Sequence, residues 1–292
     1  MDGLRIATLN IWNKSGPWAA RCELIRRELA ALAPDLVGLQ EVLRLERPES
    51  APTLPQTDVA WEPSNDQASE LAAGLGYHVA YAVAARFGAG LTLGNALLSR
   101  HPIEEQRRFA LPGAESGEHR SLLYALVNSP FGRVPVFVTH LNWKLEHGSI
   151  RLRQVRAIVE YVTQLTRNAA DALPAVLMGD FNAEPDADEI RYLRGLATVE
   201  GESVYFADAW IYGGDGSPGH TFDARNRFAA LAHEPPRRID YVFVRGPDSA
   251  FRGEPTTTRL AFCSAESGPH GEIWPSDHFG LVTDVVMAPR KA

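Results

Sequence analysis

Short apolar runs that each stop at an isolated polar side chain constrain this sequence more than any other feature. IATL ends at Asn10, LVGLQ at Glu41, VFVT at His140, and AVLMG at Asp180 with Asn182 two residues on. Apolar runs of this length read as buried strands. Ligands of α/β sheets collect outside the carboxyl ends of strands, so four such ends can share one edge and make a site.

Further strand candidates cover residues 4–9, 36–39, 77–84, 94–99, 122–127, 134–140, 175–178, 239–244, 259–263 and 279–287. Apolar residues recur at helical spacing over 21–32, with Pro34 marking the break before the next strand, and a long helix is expected over 150–167. Runs joined tightly, such as 121–127 and 134–140, need antiparallel pairing, whereas strand-helix-strand units allow parallel pairing. The expectation is an α/β fold on mixed sheets. The proline-rich stretch 46–65 and the segments 112–118 and 212–236 read as irregular loops, and none separates two cores. One domain over residues 1–292, with its core at about 4–287, is therefore expected.

Two cysteines, Cys22 and Cys263, cannot make a disulfide framework, which suits a reducing compartment and a cytoplasmic location. The opening MDGLRIATLN reads as a strand, not a secretion signal, and the apolar runs fall short of the ~20 residues that cross a bilayer. The formal net charge of −7 argues against broad nucleic-acid binding, which neutralises many phosphates with a basic surface.

Two further groups join the pattern. Ser276, Asp277 and His278 precede the last strand candidate, and they reach the same edge if that strand runs antiparallel to the others. Asp240 lies inside RIDYVFV, where an alternating strand would otherwise take a neutral residue.

Taken in order, TLNIW, LQEV, THLNW, GDFN, RIDYVFV and SDHFGL resemble the endonuclease/exonuclease/phosphatase superfamily from Ile6 to Val282. The resemblance implies a four-layer α-β-β-α sandwich, with two mixed sheets face to face, helices outside, and a metal-dependent phosphoester hydrolase at one end. Within the superfamily, the chain looks closer to sphingomyelinase-like members. The Lys that abasic-site endonucleases carry after the metal Glu is missing, since Val42, Leu43 and Arg44 follow Glu41.

A hard cation such as Mg²⁺, with Mn²⁺ as a substitute, needs only one or two carboxylates beside its waters and a substrate phosphate. Glu41 is the first ligand candidate, and the resemblance implies that Asn10 and Asp277 help hold the ion directly or through water. It assigns Asp180 to orient and deprotonate the attacking water, Asn182 to donate to a phosphate oxygen, and His278 to the phosphate with Asp240 fixing its ring. His140 is expected on the opposite wall as a second donor. Which of Asp180 and His278 is the formal base stays open, because protons on interacting groups belong to the pair. Alone, Asn10, Asp180 and Asn182 read first as turn residues after a strand; it is the ordered set of motifs that reverses this.

Asn95 can contact substrate or support a turn. Arg151, Arg153 and Arg156 read as a solvated helix face, with a pairing of Arg151 to the site edge as the alternative. Trp12, Trp143 and Trp274 either wall a pocket or pack the core. Trp61, Tyr212, Phe222 and Phe228 are too scattered to make a membrane surface.

The expected activity is a phosphodiesterase on a small-molecule or lipid-headgroup diester. The alternatives are a nuclease on DNA or RNA and, from another class, a non-catalytic scaffold of the same fold. A degraded scaffold should lack one of Glu41, Asp180, Asn182, Asp240 or His278, and all five are here.

Overall fold

The computed structural model describes residues 2–46, 66–167, 172–269 and 271–289. The strands, in chain order, are β1 (Gly3–Asn10), β2 (Leu36–Leu45), β3 (His78–Arg86), β4 (Leu91–Ser99), β5 (Ile103–Ala110), β6 (Ser121–Ser129) and β7 (Gly132–His140). They continue with β8 (Val176–Asp180), β9 (Ala207–Asp208), β10 (Asp240–Val244), β11 (Pro255–Ala261), β12 (Glu266–Gly268), β13 (Gly271–Ile273) and β14 (Gly280–Val286). The helices are α1 (Trp18–Leu32), α2 (Gln67–Ala72), α3 (Gly148–Thr166), α4 (Asp188–Leu193) and α5 (Ala209–Gly213).

Two six-stranded sheets run in the orders β11-β14-β1-β2-β4-β3 and β5-β6-β7-β8-β10-β9. Both are mixed. β1 pairs parallel with β2 but antiparallel with β14, and β7 pairs parallel with β8 while β10 runs antiparallel to it. The sheets face each other across one core that includes Leu4, Ile6 and Leu36 from the first and Val136, Val138 and Met178 from the second. Gly38 lies at a close approach of the two sheets, since a Cβ there would meet Met178 at 2.9 Å.

Helices cover both outer faces. α1 buries Ile25, Leu29 and Leu32 against Leu9 and Leu39, and α3 buries Val155, Ile158 and Val162 against Tyr124, Phe137 and Leu177. The expected four-layer sandwich is present. α1 starts at Trp18, a turn earlier than residues 21–32 suggest, because Trp18 is buried and its Nε1 donates to Glu70 at 3.1 Å. It closes at Ala33 in the left-handed conformation, just before Pro34.

Three differences from the sequence expectation have physical reasons. β2 runs on to Leu45, so Glu41 does not end a strand. It sits where the β2–β4 register shifts between Leu39 and Val42, with φ 58. Such a bulge turns a side chain out of the strand's alternation. β5 was not anticipated because its sequence, IEEQRRFA, is largely charged, and as an edge strand it needs no apolar alternation on both faces. Arg151 is no solvated residue. It is buried, its Nε donates to Glu189 at 2.6 Å, and its Nη1 donates to the carbonyls of Asn142 and Lys144. The segment after Glu46 through Asn65, including Trp61, lies outside the described residues.

Candidate active site

A single rung across the second sheet builds half of the site. Parallel pairing sets His140 level with Asp180, and antiparallel pairing sets Asp240 level with Asp180. Gly179 permits this spacing. Its φ of +146 and a would-be Cβ 1.9 Å from the Thr139 carbonyl oxygen leave no room for a side chain. Asp240 is held from behind by Thr221, whose Oγ1 accepts the N–H groups of Ile239 and Asp240 at 3.1 Å each.

The first sheet supplies the rest. Asn10 ends β1, and its Nδ2 donates both to Glu41 Oε1 at 3.2 Å and across to Asp180 Oδ2 at 3.0 Å. β14 runs antiparallel to β1, which meets the condition set from the sequence, so the residues before it reach the same edge. There Ser276 Oγ lies 2.6 Å from the Asn10 carbonyl oxygen, to which it donates, and 3.1 Å from Asp277 Oδ1. His278 follows, with Nδ1 2.9 Å from Asp240 Oδ2 and Nε2 3.8 Å from Asp180 Oδ2. All eight residues singled out from the sequence thus meet at one end of the sandwich.

Burial divides them. His140, Asp180, Asn182, Asp240 and His278 are at most 8% exposed, whereas Glu41 and Asp277 are partly exposed. Burial, reinforced by the Asp240 carboxylate, pushes Asp180 up to about 7 against the pull of His278. For His278, burial opposes the charge, but Asp240, Asp180 and Asp277 together hold the imidazolium well above its ordinary range. His140 goes the other way, driven well down by burial and then by the cations Arg120 and His278. Asp277 is pushed up to about 6, mainly by its enclosure, with His278 opposing and Glu41 adding.

Two of these residues already hold protein partners. Asn182 Nδ2 donates to His140 Nε2 at 3.0 Å and to the Leu141 carbonyl at 3.2 Å, so both amide hydrogens are engaged. Donation from Asn182 to a phosphate oxygen requires release of one of these bonds, and His140 Nε2 serves here as an acceptor. Asn10 Oδ1 accepts the Trp12 N–H at 2.9 Å and keeps a second lone pair, while its Nδ2 clamps two carboxylates.

Residues not anticipated complete the frame. Asn13 Nδ2 donates to Glu41 Oε2 at 3.0 Å. Arg21, buried beneath the loop, donates to the carbonyls of Ile11, Asn13 and Ser15, and burial lowers it to about 10. The signal for Asn13 was present in TLNIWN, three residues past Asn10; that for Arg21 was hidden, because a helical arginine ordinarily faces solvent. Asn95 is structural, donating to the Ser121 carbonyl at 2.9 Å. Trp12 packs on Phe228 and Trp274 on Phe279, while Trp143 stays 55% exposed.

Asp180, Asp240 and His278 each offer a ligand atom, and these atoms lie within 4.8 Å of one another. The trio is engaged with itself, since Asp240 bonds His278. The outer group fits a hard divalent cation better. Glu41 and Asp277 present partly exposed carboxylates to solvent, the donor set is all oxygen, and each Glu41 oxygen keeps a lone pair beyond its Asn partner.

A model of the Endonuclease/Exonuclease/phosphatase family matches residues 7–278. The CCR4-Not complex 3'-5'-exoribonuclease subunit Ccr4 of Kluyveromyces lactis is 24% identical over 165 residues, 51% of this chain and 21% of its own length. The chain thus spans about a fifth of the length of that curated relative. An endonuclease/exonuclease/phosphatase from Beutenbergia cavernae DSM 12333 superposes with a TM-score of 0.71 at 25% identity, covering 99% of this chain and 72% of its own. Truncated Caenorhabditis elegans TDP2 superposes at 0.70 with 19% identity, covering 97% of each chain, and shares the fold.

Proposed function

This chain belongs to the endonuclease/exonuclease/phosphatase family of phosphoester hydrolases, and from that membership we propose that it is a Mg²⁺-dependent phosphodiesterase acting on a small-molecule or lipid-headgroup diester. The observation that carries the proposal is the continuous line from partly exposed Glu41 through Asn10 to buried Asp180, with the His278–Asp240 pair beside it. We take the chain as one catalytic domain, since both sheets contribute to this line.

Hydrolysis of a phosphodiester needs an in-line water, stabilised non-bridging oxygens and a protonated or neutralised leaving oxygen. Asp180, raised to about 7, is suited to accept the water's proton near neutrality. His278, held as imidazolium, presents Nε2 to a phosphate oxygen while Asp240 fixes its ring through Nδ1. Asn182 and His140 form the opposite polar wall. Glu41 and Asp277 would hold the cation, with Asn10 and Asn13 orienting Glu41. A divalent cation, when bound, supplies charge stabilisation at the non-bridging and leaving oxygens.

A nuclease is the second reading, favoured by the similarity to an exoribonuclease subunit and opposed by the charge of −7. Turnover of bis-p-nitrophenyl phosphate, a phospholipid and a single-stranded oligonucleotide at equal Mg²⁺ separates the two. Preference for either non-nucleic substrate supports the phosphodiesterase; a strong, salt-sensitive preference for the oligonucleotide makes the protein a nuclease.

A further inference from the structure

Arg120, which the mechanism above does not use, ends the loop that leads into β6. The β6–β7 register pairs Leu122 with Thr139, so the next residues outward, Ser121 and His140, lie level at the edge that carries the site. Among the charges acting on His140, the Arg120 guanidinium outweighs His278.

The Arg120 side chain is only 10% exposed, and one donation holds it, from Nη2 to Glu118 Oε2 at 2.9 Å. The same oxygen accepts the Trp143 N–H at 3.1 Å, and His147 Nδ1 lies 3.3 Å from the other oxygen. One carboxylate therefore fixes Arg120 to the loop that follows His140. Arg120 Nε, however, is buried without a hydrogen-bond partner, as are the neighbouring Ser121 Oγ and the second Glu118 oxygen, Oε1.

Buried polar side-chain atoms are nearly always satisfied, so three exceptions within four residues need an explanation, and the two that can donate are Arg120 Nε and Ser121 Oγ. Arg21, Arg237 and Arg238 also carry an unpartnered buried Nε, but each guanidinium stacks over an aromatic ring, that of Trp12, Phe222 and Tyr241 respectively. No ring covers Arg120 among the described residues. Arg151 nearby shows what a purely structural arginine makes here, with Nε and Nη1 both bonded to protein oxygens.

We propose that Arg120 is a substrate-binding residue whose guanidinium edge at Nε, together with the Ser121 hydroxyl, takes an anionic oxygen of the phosphoester on the His140 side of the site. The inference rests on the phosphoesterase reading. The planar guanidinium suits a phosphate oxygen, and Glu118 holds it in place before substrate arrives.

Calorimetric titration of the full chain with inorganic phosphate, with and without Mg²⁺, tests this. Arg120→Gln should weaken phosphate binding about tenfold or more, the scale of one charge-assisted hydrogen bond, and Arg120→Lys should recover part of the loss. The double variant Glu118→Gln with Arg120→Gln leaves no unpaired carboxylate and should fold as the wild type, with an unchanged melting temperature, yet bind phosphate as poorly. Unchanged phosphate affinity in both Gln variants, or no measurable phosphate binding by the wild type, overturns the assignment. If the wild type binds phosphate through Arg120 but turns over no phosphoester, the hydrolase reading fails and the anion site stands. If Arg120→Gln hydrolyses bis-p-nitrophenyl phosphate at the wild-type kcat/KM, the anion site fails and the hydrolase reading stands.

Discussion

The two halves of the site differ in burial, and that difference separates two kinds of chemistry. The deep half, His140, Asp180, Asn182, Asp240 and His278, is almost wholly enclosed and bonded to itself. The outer half, Asn13, Glu41 and Asp277, remains partly open. Both halves include non-glycine backbone at positive φ, at Trp12, Asn13 and Glu41 around the outer half and at Asn182 in the deep half. Such conformations cost roughly 1–3 kcal/mol each and persist where the surroundings enforce them; Arg21 gripping three loop carbonyls is that enforcement in the outer half. Low dielectric moves the proton affinities of the deep groups, which suits proton transfer. The open Glu41 carboxylate can exchange water for a cation at little desolvation cost, whereas Asp277, raised to about 6 by its enclosure, shares the proton-affinity shift of the deep groups. Asn10 bridges the halves, donating to a carboxylate in each.

Substitutions that strike one half alone test this division. Asp180→Asn should produce the largest loss, about 10²- to 10⁴-fold in kcat, the range for a positioned general base. In the unsubstituted protein, a base raised to about 7 must be ionised to act, so kcat/KM should fall about tenfold per unit as pH drops below about 7. A pH profile flat down to pH 5 would remove Asp180 from that role. His278→Ala should lower kcat by about 10²-fold; a change in KM alone would restrict His278 to binding.

In the outer half the effect should move from kcat to the metal requirement. Glu41→Ala should raise the Mg²⁺ concentration for half-maximal rate by about tenfold or more, on the scale of altered metal sites. Unchanged metal dependence would break the comparison. Asn13→Ala removes only one hydrogen bond to Glu41 and should shift the same titration by less, toward about tenfold at most.

Much of this organisation was legible because strands that end on a polar residue announce both a sheet and its working edge. Asn10, His140 and Asp180 lie at strand ends as the pattern demanded, and Asp240 proved to be the first residue of its strand. What stayed hidden depended on tertiary context. The bulge at Glu41 arises from pairing with β4, which an apolar run cannot reveal. Arg151 resembled a surface residue because its partners lie outside its own helix, Glu189 on α4 and two carbonyls of the preceding loop. The charged strand β5 and the short helices α2 and α4 carry too little periodicity to stand out.

Direct binding of Mn²⁺, followed by electron paramagnetic resonance in the wild type, Glu41→Gln and Asp180→Asn, probes the division of labour without relying on turnover. Glu41→Gln should weaken Mn²⁺ binding strongly while Asp180→Asn leaves it close to the wild type. Equal loss of Mn²⁺ from both variants would mean that the deep carboxylates hold the ion, and the two halves would not be separate.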